Sequence, residues 1–190
     1  MDNKIIKAFE DSAEIKIRFA RENEDGIRKA ANLIVSAYKK GGKLILFGNG
    51  GSASDASHIA GELINRFLKD RPPLPAIALN TDMAVLTSIS NDYDYSEVFE
   101  KQIKALGKEG DVVIAISTSG NSGNVLKGVM AAKEMNIKTI GLTGGNGGKL
   151  AGLVDYAFVV PTNKTPRIQE THITFGHVLC ELIEEEIFGK

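Results

Sequence analysis

The chain has 190 residues, enough for one well-packed domain and barely enough for two. Its formal net charge of -1 and lack of Trp give no basic excess of the kind a nucleic-acid surface carries. No apolar run approaches the length needed to cross a bilayer, so neither nucleic acid nor membrane is an expected partner.

The opening stretch MDNKIIKAFEDSAE lacks the long apolar segment of a secretory signal, which points to the cytoplasm. From about Lys4 to Lys40 the pattern is helical, with charges on the outer faces. It reads as two helices, or one interrupted near Asp25-Gly26. Gly41-Gly42 breaks that pattern, and KLILFG (Lys43–Gly48) is a buried strand. A glycine-rich turn follows, with Ser52 or Ser54 as the cap of a helix running to about Phe67. Arg71-Pro72-Pro73-Leu74-Pro75 is a non-helical connection.

A short strand, Ala76–Leu79, leads to Asn80-Thr81-Asp82, which caps a helix containing Ala84, Val85 and Leu86. Asn91-Asp92 falls in the polar stretch after it, and a further amphipathic helix spans Ser96–Leu106. Strands are expected at Val112–Ile116, Thr139–Leu142 and Tyr156–Val160, with helices over Asn124–Met135 and from near Arg167 to Ile187. Cys180 lies among Val178, Leu179, Leu182 and Ile183 in that last helix and reads as a core thiol. Strands separated by helices make an α/β fold: a five-stranded parallel sheet with helices on both faces and an N-terminal helical region. The division is one domain over 1–190, with a helical region over 1–40 and an α/β core over 41–190.

Polar ligands of such sheets settle on loops beyond the carboxyl ends of the strands, and the distinctive polar sequences here stand where strands end. Gly48-Asn49-Gly50-Gly51-Ser52 is not a dinucleotide fingerprint, because Ala53 occupies the third glycine position and Asp70 is the only acidic counterpart downstream, in the Pro-rich connection. No phosphate loop of the nucleotide-triphosphatase type occurs. Ser117-Thr118-Ser119-Gly120-Asn121-Ser122 is more informative, since it puts four hydroxyls into six residues directly before a helix. Such hydroxyls either cap the helix and hold the turn or, together with the helix's free N–H groups, bind phosphate oxygens; four of them favour the anion.

These residues carry a resemblance. The S-T-S-G-N-S loop after a hydrophobic strand resembles the sugar-isomerase (SIS) domain, whose members bind phosphosugars. The closer similarity is to the sedoheptulose-7-phosphate (phosphoheptose) isomerases. It runs through Gly48–Ser52, Asp55-Ala56-Ser57-His58, Glu62, Arg66, Asn91-Asp92, Ser117–Ser122, Arg167-Ile168-Gln169-Glu170 and His177, and so covers almost the whole chain.

The resemblance implies that Ser52, Ser117, Ser119 and Ser122 bind phosphate or substrate, with Asn49, Gly50, Gly51 and Thr118 beside them. It implies that Asn91 and Asp92 touch the sugar chain, that Arg66 and Gln169 contact substrate, and that Glu62 and His177 form the acid–base pair. It also implies a Zn2+ ion held by His58, Glu62, Gln169 and His177, and a homotetramer with active sites between subunits. One position departs from the family: three before the family's Gln, where an acidic residue is common, stands Pro166.

The residues alone leave several of these roles open. His58 and Glu62 are four apart on a helix and share one face, with Arg66 a turn further. His58 also reads as a hydrogen-bonded helix histidine, His177 as a buried one bonded to a backbone carbonyl, and Arg66 as an ion-pair partner of Asp55 or Glu97. Gln169 and His177 are eight residues apart, about 12 Å along a helix, which does not by itself suggest a shared ion. His172 has an exposed-looking neighbourhood and is given no role. A non-catalytic relative, binding phosphosugars or acting with replication initiators, would dispense with Glu62 or His177; both are present.

Overall fold

A computed structural model of the chain describes residues 2–189. In order, its elements are α1 (Asp2–Lys39), β1 (Leu44–Gly48), α2 (Gly51–Ile64), β2 (Ala76–Ala78), α3 (Met83–Asp92), a 3-10 turn (Tyr95–Glu97), α4 (Val98–Leu106), β3 (Val112–Ile116), α5 (Gly123–Glu134), β4 (Lys138–Gly144), α6 (Gly148–Leu153), β5 (Tyr156–Val160) and α7 (Thr165–Phe188). The strands form one sheet in the order β2-β1-β3-β4-β5, and every pair is parallel. No helix among the described residues is long and apolar enough to cross a membrane.

The central strands are buried on both faces, so their alternate residues feed two different cores. Leu44, Leu46, Val112, Ile114 and Ile116 pack with residues of α1, α2 and α7, such as Ile34, Ile59, Leu63, Leu179 and Cys180. Ile45, Phe47, Val113 and Ala115 pack with α4 and α5 through Phe99, Ile103, Val125 and Val129. The Phe47 and Phe99 rings stack at 4.8 Å, and Gly128 gives them room, because a Cβ there would stand 3.0 Å from Phe47.

Several expectations are corrected. The N-terminal region is one unbroken helix, roughly 57 Å long, which passes straight through Asp25-Gly26. Gly26 serves packing instead of termination: a Cβ would come within 3.2 Å of Phe158, so glycine lets α1 approach β5. The helix after the glycine-rich turn ends at Ile64, short of Phe67, and its N-cap is Gly50, not a serine. Asn91 and Asp92 lie inside α3, not beyond it. The one-and-a-half-turn α6 was not expected at all. Asp82 does cap α3, accepting a hydrogen bond from the Val85 N–H at 3.0 Å.

His172 is buried, not exposed. Its Nε2 lies 3.1 Å from the Thr143 carbonyl, which can only accept, so Nε2 carries the proton. Nδ1 is buried with no partner among the described residues. Burial pushes this imidazole's pKa down to about 4, although the Thr143 bond opposes the shift. Between that value and about 6.5 the unfolded chain binds the extra proton, so this group's contribution to stability falls as pH drops through that window. Asp55, raised to about 6 by burial, has the opposite slope, since its folded form holds the proton. Replacing His172 by Gln leaves Asp55 in place and isolates the first effect. Denaturant unfolding at pH 5 and pH 7 should show the gain from pH 5 to 7 shrinking by roughly 2 kcal/mol in the variant. Equal gains in the two proteins would mean that His172 is not held neutral by the fold.

Candidate active site

The loop after β3 is a tight turn, with the Gly120 N–H donating to the Ser117 carbonyl at 2.9 Å and Gly120 itself at φ +65°. Ser122 is the N-cap of α5, yet its side chain makes no capping bond. Its hydroxyl instead meets that of Ser117 at 3.0 Å, while the Ser119 hydroxyl accepts from the Asn121 N–H at 3.2 Å. The hydroxyls are therefore not consumed in capping the helix, although Ser119 does help to hold the turn, the other half of the ordinary explanation for them.

The glycine-rich loop after β4, to which the sequence assigned no role, braces this one. The Gly144 N–H donates to Thr118 O at 3.1 Å, Leu150 N–H to Gly120 O at 2.9 Å, and Lys149 N–H to Asn121 Oδ1 at 3.2 Å. Between the loops lies a cavity of about 290 Å³, reached by Thr118, Ser119, Asn146, Asn163 and Thr165. Gly-Gly-Asn-Gly-Gly (Gly144–Gly148) after β4 was the available signal: a glycine-dense strand end beside another.

The loop after β1 is tied to the same neighbourhood by paired amides. Asn49 and Asn124 exchange two hydrogen bonds of 2.9 Å, and the Tyr95 hydroxyl donates to Asn49 Oδ1 at 2.9 Å. Asn80 similarly brackets Gly48, donating to its carbonyl at 2.6 Å and accepting from its N–H at 3.3 Å. Ser52 is buried in the first turn of α2. The Gln169 amide lies against Gly51, where a Cβ would collide with it, so glycine there admits the α7 side chain.

Further along α2 and α7 a second polar group assembles. His58 Nε2 stands 3.0 Å from Glu62 Oε1 and 3.3 Å from His177 Nε2. One ligand atom from each residue falls within 4.8 Å of the others. His58 is exposed, and Glu62 and His177 are half-buried. The Phe67 ring stacks on the His177 imidazole at 5.5 Å and 24°. Donors about 2.0–2.1 Å from a tetrahedral ion stand roughly 3.3 Å apart, so two imidazole nitrogens and a carboxylate at these spacings suit a divalent metal with a position left open. Asp55, one turn before His58, has a carboxylate oxygen buried without a hydrogen-bond partner among the described residues.

Other candidates are not joined to either group. Arg66 is exposed and forms no ion pair among the described residues, while Glu97 pairs with Lys101. Asn91 and Asp92 bond to each other at 2.9 Å on the exposed face of α3. Gln169 sits by Gly51 at the opposite end of α2 from Glu62.

The arrangement has known counterparts. A model of the SIS domain matches residues 9–144. The phosphoheptose isomerase of Thermodesulfovibrio yellowstonii is 59% identical over 188 residues, 99% of this chain and 94% of its own. That of Aquifex aeolicus is 52% identical over 187 residues, 98% of each. Among solved structures, a phosphoheptose isomerase from Neisseria gonorrhoeae superposes with a TM-score of 0.91 at 40% identity, over 97% of this chain and 98% of that one. Identity of this extent over the full length, with the parallel sheet shared, settles the family: the chain belongs to the SIS-domain proteins and, among them, to the phosphoheptose isomerases.

Proposed function

We propose that the chain interconverts sedoheptulose 7-phosphate and D-glycero-D-manno-heptose 7-phosphate through an enediolate. The observation that carries this reading is the His58–Glu62–His177 cluster in a fold that also carries a hydroxyl-rich loop at the carboxyl end of β3, before α5. Ser52, Ser117, Ser119 and Ser122 hold the phosphate, with Asn49 and Asn124 fixing the two loops against each other. Glu62 takes the proton from C1 of the ketose and returns it to C2, and His177 moves a proton between O2 and O1. Arg66, Asn91, Asp92 and Gln169 contact the sugar chain.

The ion suited to the cluster is Zn2+, held by His58, Glu62 and His177, while Gln169, at the far end of α2, would reach it only from a neighbouring copy; when bound, the ion would polarise the carbonyl and stabilise negative oxygen. The direct test is turnover of purified protein on sedoheptulose 7-phosphate and a panel of other ketose phosphates, with and without chelator. Aldose should form from the heptulose at the greatest rate, and chelation should lower that rate at least tenfold. No turnover of any ketose phosphate would overturn the enzyme reading, and a rate indifferent to chelation would remove the metal.

Residues 1–190 are taken as a single domain, because Phe19, Ile27, Ala30 and Ile34 of α1 share a core with the sheet. The first half of α1 nevertheless leaves Ile5, Ile6, Phe9 and Ile17 more than half exposed. That apolar stripe supports a closed homo-oligomer, which we take to be a tetramer. α2 separates Ser52 from Glu62 by roughly 15 Å along its axis, and this supports active sites completed by a neighbouring copy. Light scattering at micromolar concentration should give four times the chain mass, and Phe9→Glu should lower it. A catalytically active monomer would sink the idea. We take the reaction to be cytoplasmic, and a single buried free thiol, Cys180, is compatible with a reducing compartment.

A further inference from the structure

A buried polar network lies outside both groups described above, under the segment that joins α2 to β2. Glu184 and Arg71 are almost fully buried and pair at 2.9 Å through Oε1 and Nε. The Glu184 carboxylate also accepts three consecutive backbone N–H groups, those of Phe67, Leu68 and Lys69, at 2.8, 2.9 and 3.0 Å. The Arg71 guanidinium turns the other way. It donates to the carbonyls of Glu62 at 2.9 Å, Leu63 at 2.6 Å and Pro72 at 3.1 Å. Glu62 and Leu63 belong to the last turn of α2, where carbonyls have no partner within the helix.

Buried ion pairs can often be replaced by well-packed apolar residues without loss of stability, so stability alone does not explain this one. Charges supply direction instead. A carboxylate aimed at three successive amides fixes the path of Phe67–Lys69, and a planar guanidinium forked onto two helix-end carbonyls fixes the backbone that carries Glu62. Glu184 stands seven residues after His177 on α7, about 10 Å along and on the same face. One helix therefore bears the imidazole and also the anchor for the ring stacked on it.

We propose that Glu184 and Arg71 are positioning residues of the reaction: they hold Phe67 flat against the His177 imidazole and Glu62 at its working distance from it. The proposal rests on the reading of Glu62 and His177 as the acid–base pair. It assigns Phe67 the task of restricting the imidazole's rotation, and it explains why an ion pair is spent on a surface connection.

The chain has three histidines, so ring-proton spectra of protein labelled at histidine separate them directly. His177→Gln identifies the His177 signals, which the Phe67 ring current should hold upfield in the parent. In Phe67→Leu those signals should move downfield, and in Glu184→Gln they should move in the same direction. Both variants should lose at least tenfold in kcat on sedoheptulose 7-phosphate, with KM within threefold of the parent, because substrate contacts are untouched. Folded Glu184→Gln with parental His177 signals, or with kcat within a factor of two, overturns the proposal. Should Glu184→Gln fail to fold, Phe67→Leu decides alone, since it leaves the ion pair intact, and kcat within a factor of two again overturns it. Parental activity in His177→Gln would defeat the acid–base reading instead, and the ring signals would still report on the clamp.

Discussion

Glu62→Gln should abolish nearly all turnover while leaving the protein folded and able to bind phosphate. The substitution keeps the shape of the side chain and removes its negative charge, and with it the capacity to accept a proton and to serve as a carboxylate donor to a metal. General acid–base groups contribute about 10²- to 10⁴-fold, and a loss in that range is expected in kcat. KM should change little, since the phosphate end of the substrate is held on other loops. Folding should survive for a structural reason: the Glu62 side chain is 27% exposed, and its polar partner is a single histidine at 3.0 Å. The anchor that matters to the fold is the Glu62 backbone carbonyl, held by Arg71, and glutamine retains it. Steady-state rates on sedoheptulose 7-phosphate, read beside the affinity for inorganic phosphate, separate these effects. A variant working within a factor of three of the parent would show that another group takes the carbon-bound proton.

How far the sequence reveals this site depends on how local each part is. β1 and β3 are legible because each is a five-residue apolar run closed by a glycine- or hydroxyl-rich turn. In the middle of a parallel sheet buried on both faces such a run has few alternatives, while Pro161 marks the end of the edge strand β5. The His58–Glu62 spacing is equally local, being one helical turn. His177 is not: it reaches His58 across 119 residues of chain, and only the resemblance to a family brings it to the same place. Gly26 shows the opposite failure. Its local signal is a helix break, but its missing Cβ answers to Phe158 on a strand far along the chain, and tertiary packing overrides propensity. The Arg71–Glu184 pair was invisible for the same reason. Arg71 opens a proline-rich connection and Glu184 sits in an acidic helix end, so each reads as a solvated surface charge until the fold buries both. His172 looked exposed by its neighbours in sequence, yet α7 presents it to Thr143 and the core.

Gly120→Ala should damage phosphate binding more than the loss of any one hydroxyl beside it. Gly120 adopts φ +65°, a backbone region that costs other residues about 1–3 kcal/mol when they are forced into it. Space is short as well: an added Cβ would collide with the Gly147 carbonyl oxygen and stand 2.7 Å from its carbon and 2.8 Å from Thr143 Oγ1. Those atoms are backbone and a buried threonine, neither of which can swing aside. The turn must therefore separate from the β4–α6 loop and break the Gly120 O bond to Leu150 N–H. Ser117, Ser119 and Ser122 then lose their common geometry together. Removing one of them, as in Ser119→Ala, costs roughly 0.5–3 kcal/mol, the span from a neutral hydrogen bond to one with a charged group. Gly120→Ala should exceed that single loss, raising KM for sedoheptulose 7-phosphate at least a hundredfold. The midpoint of thermal unfolding should fall by about 3–10 °C for a chain of this size. If KM stayed within threefold of the parent, the loop after β3 would not be the seat of the phosphate, whatever happened to the melting temperature. If KM rose in Gly120→Ala but not in Ser119→Ala or Ser122→Ala, the backbone N–H groups, and not the hydroxyls, would be the phosphate's principal partners.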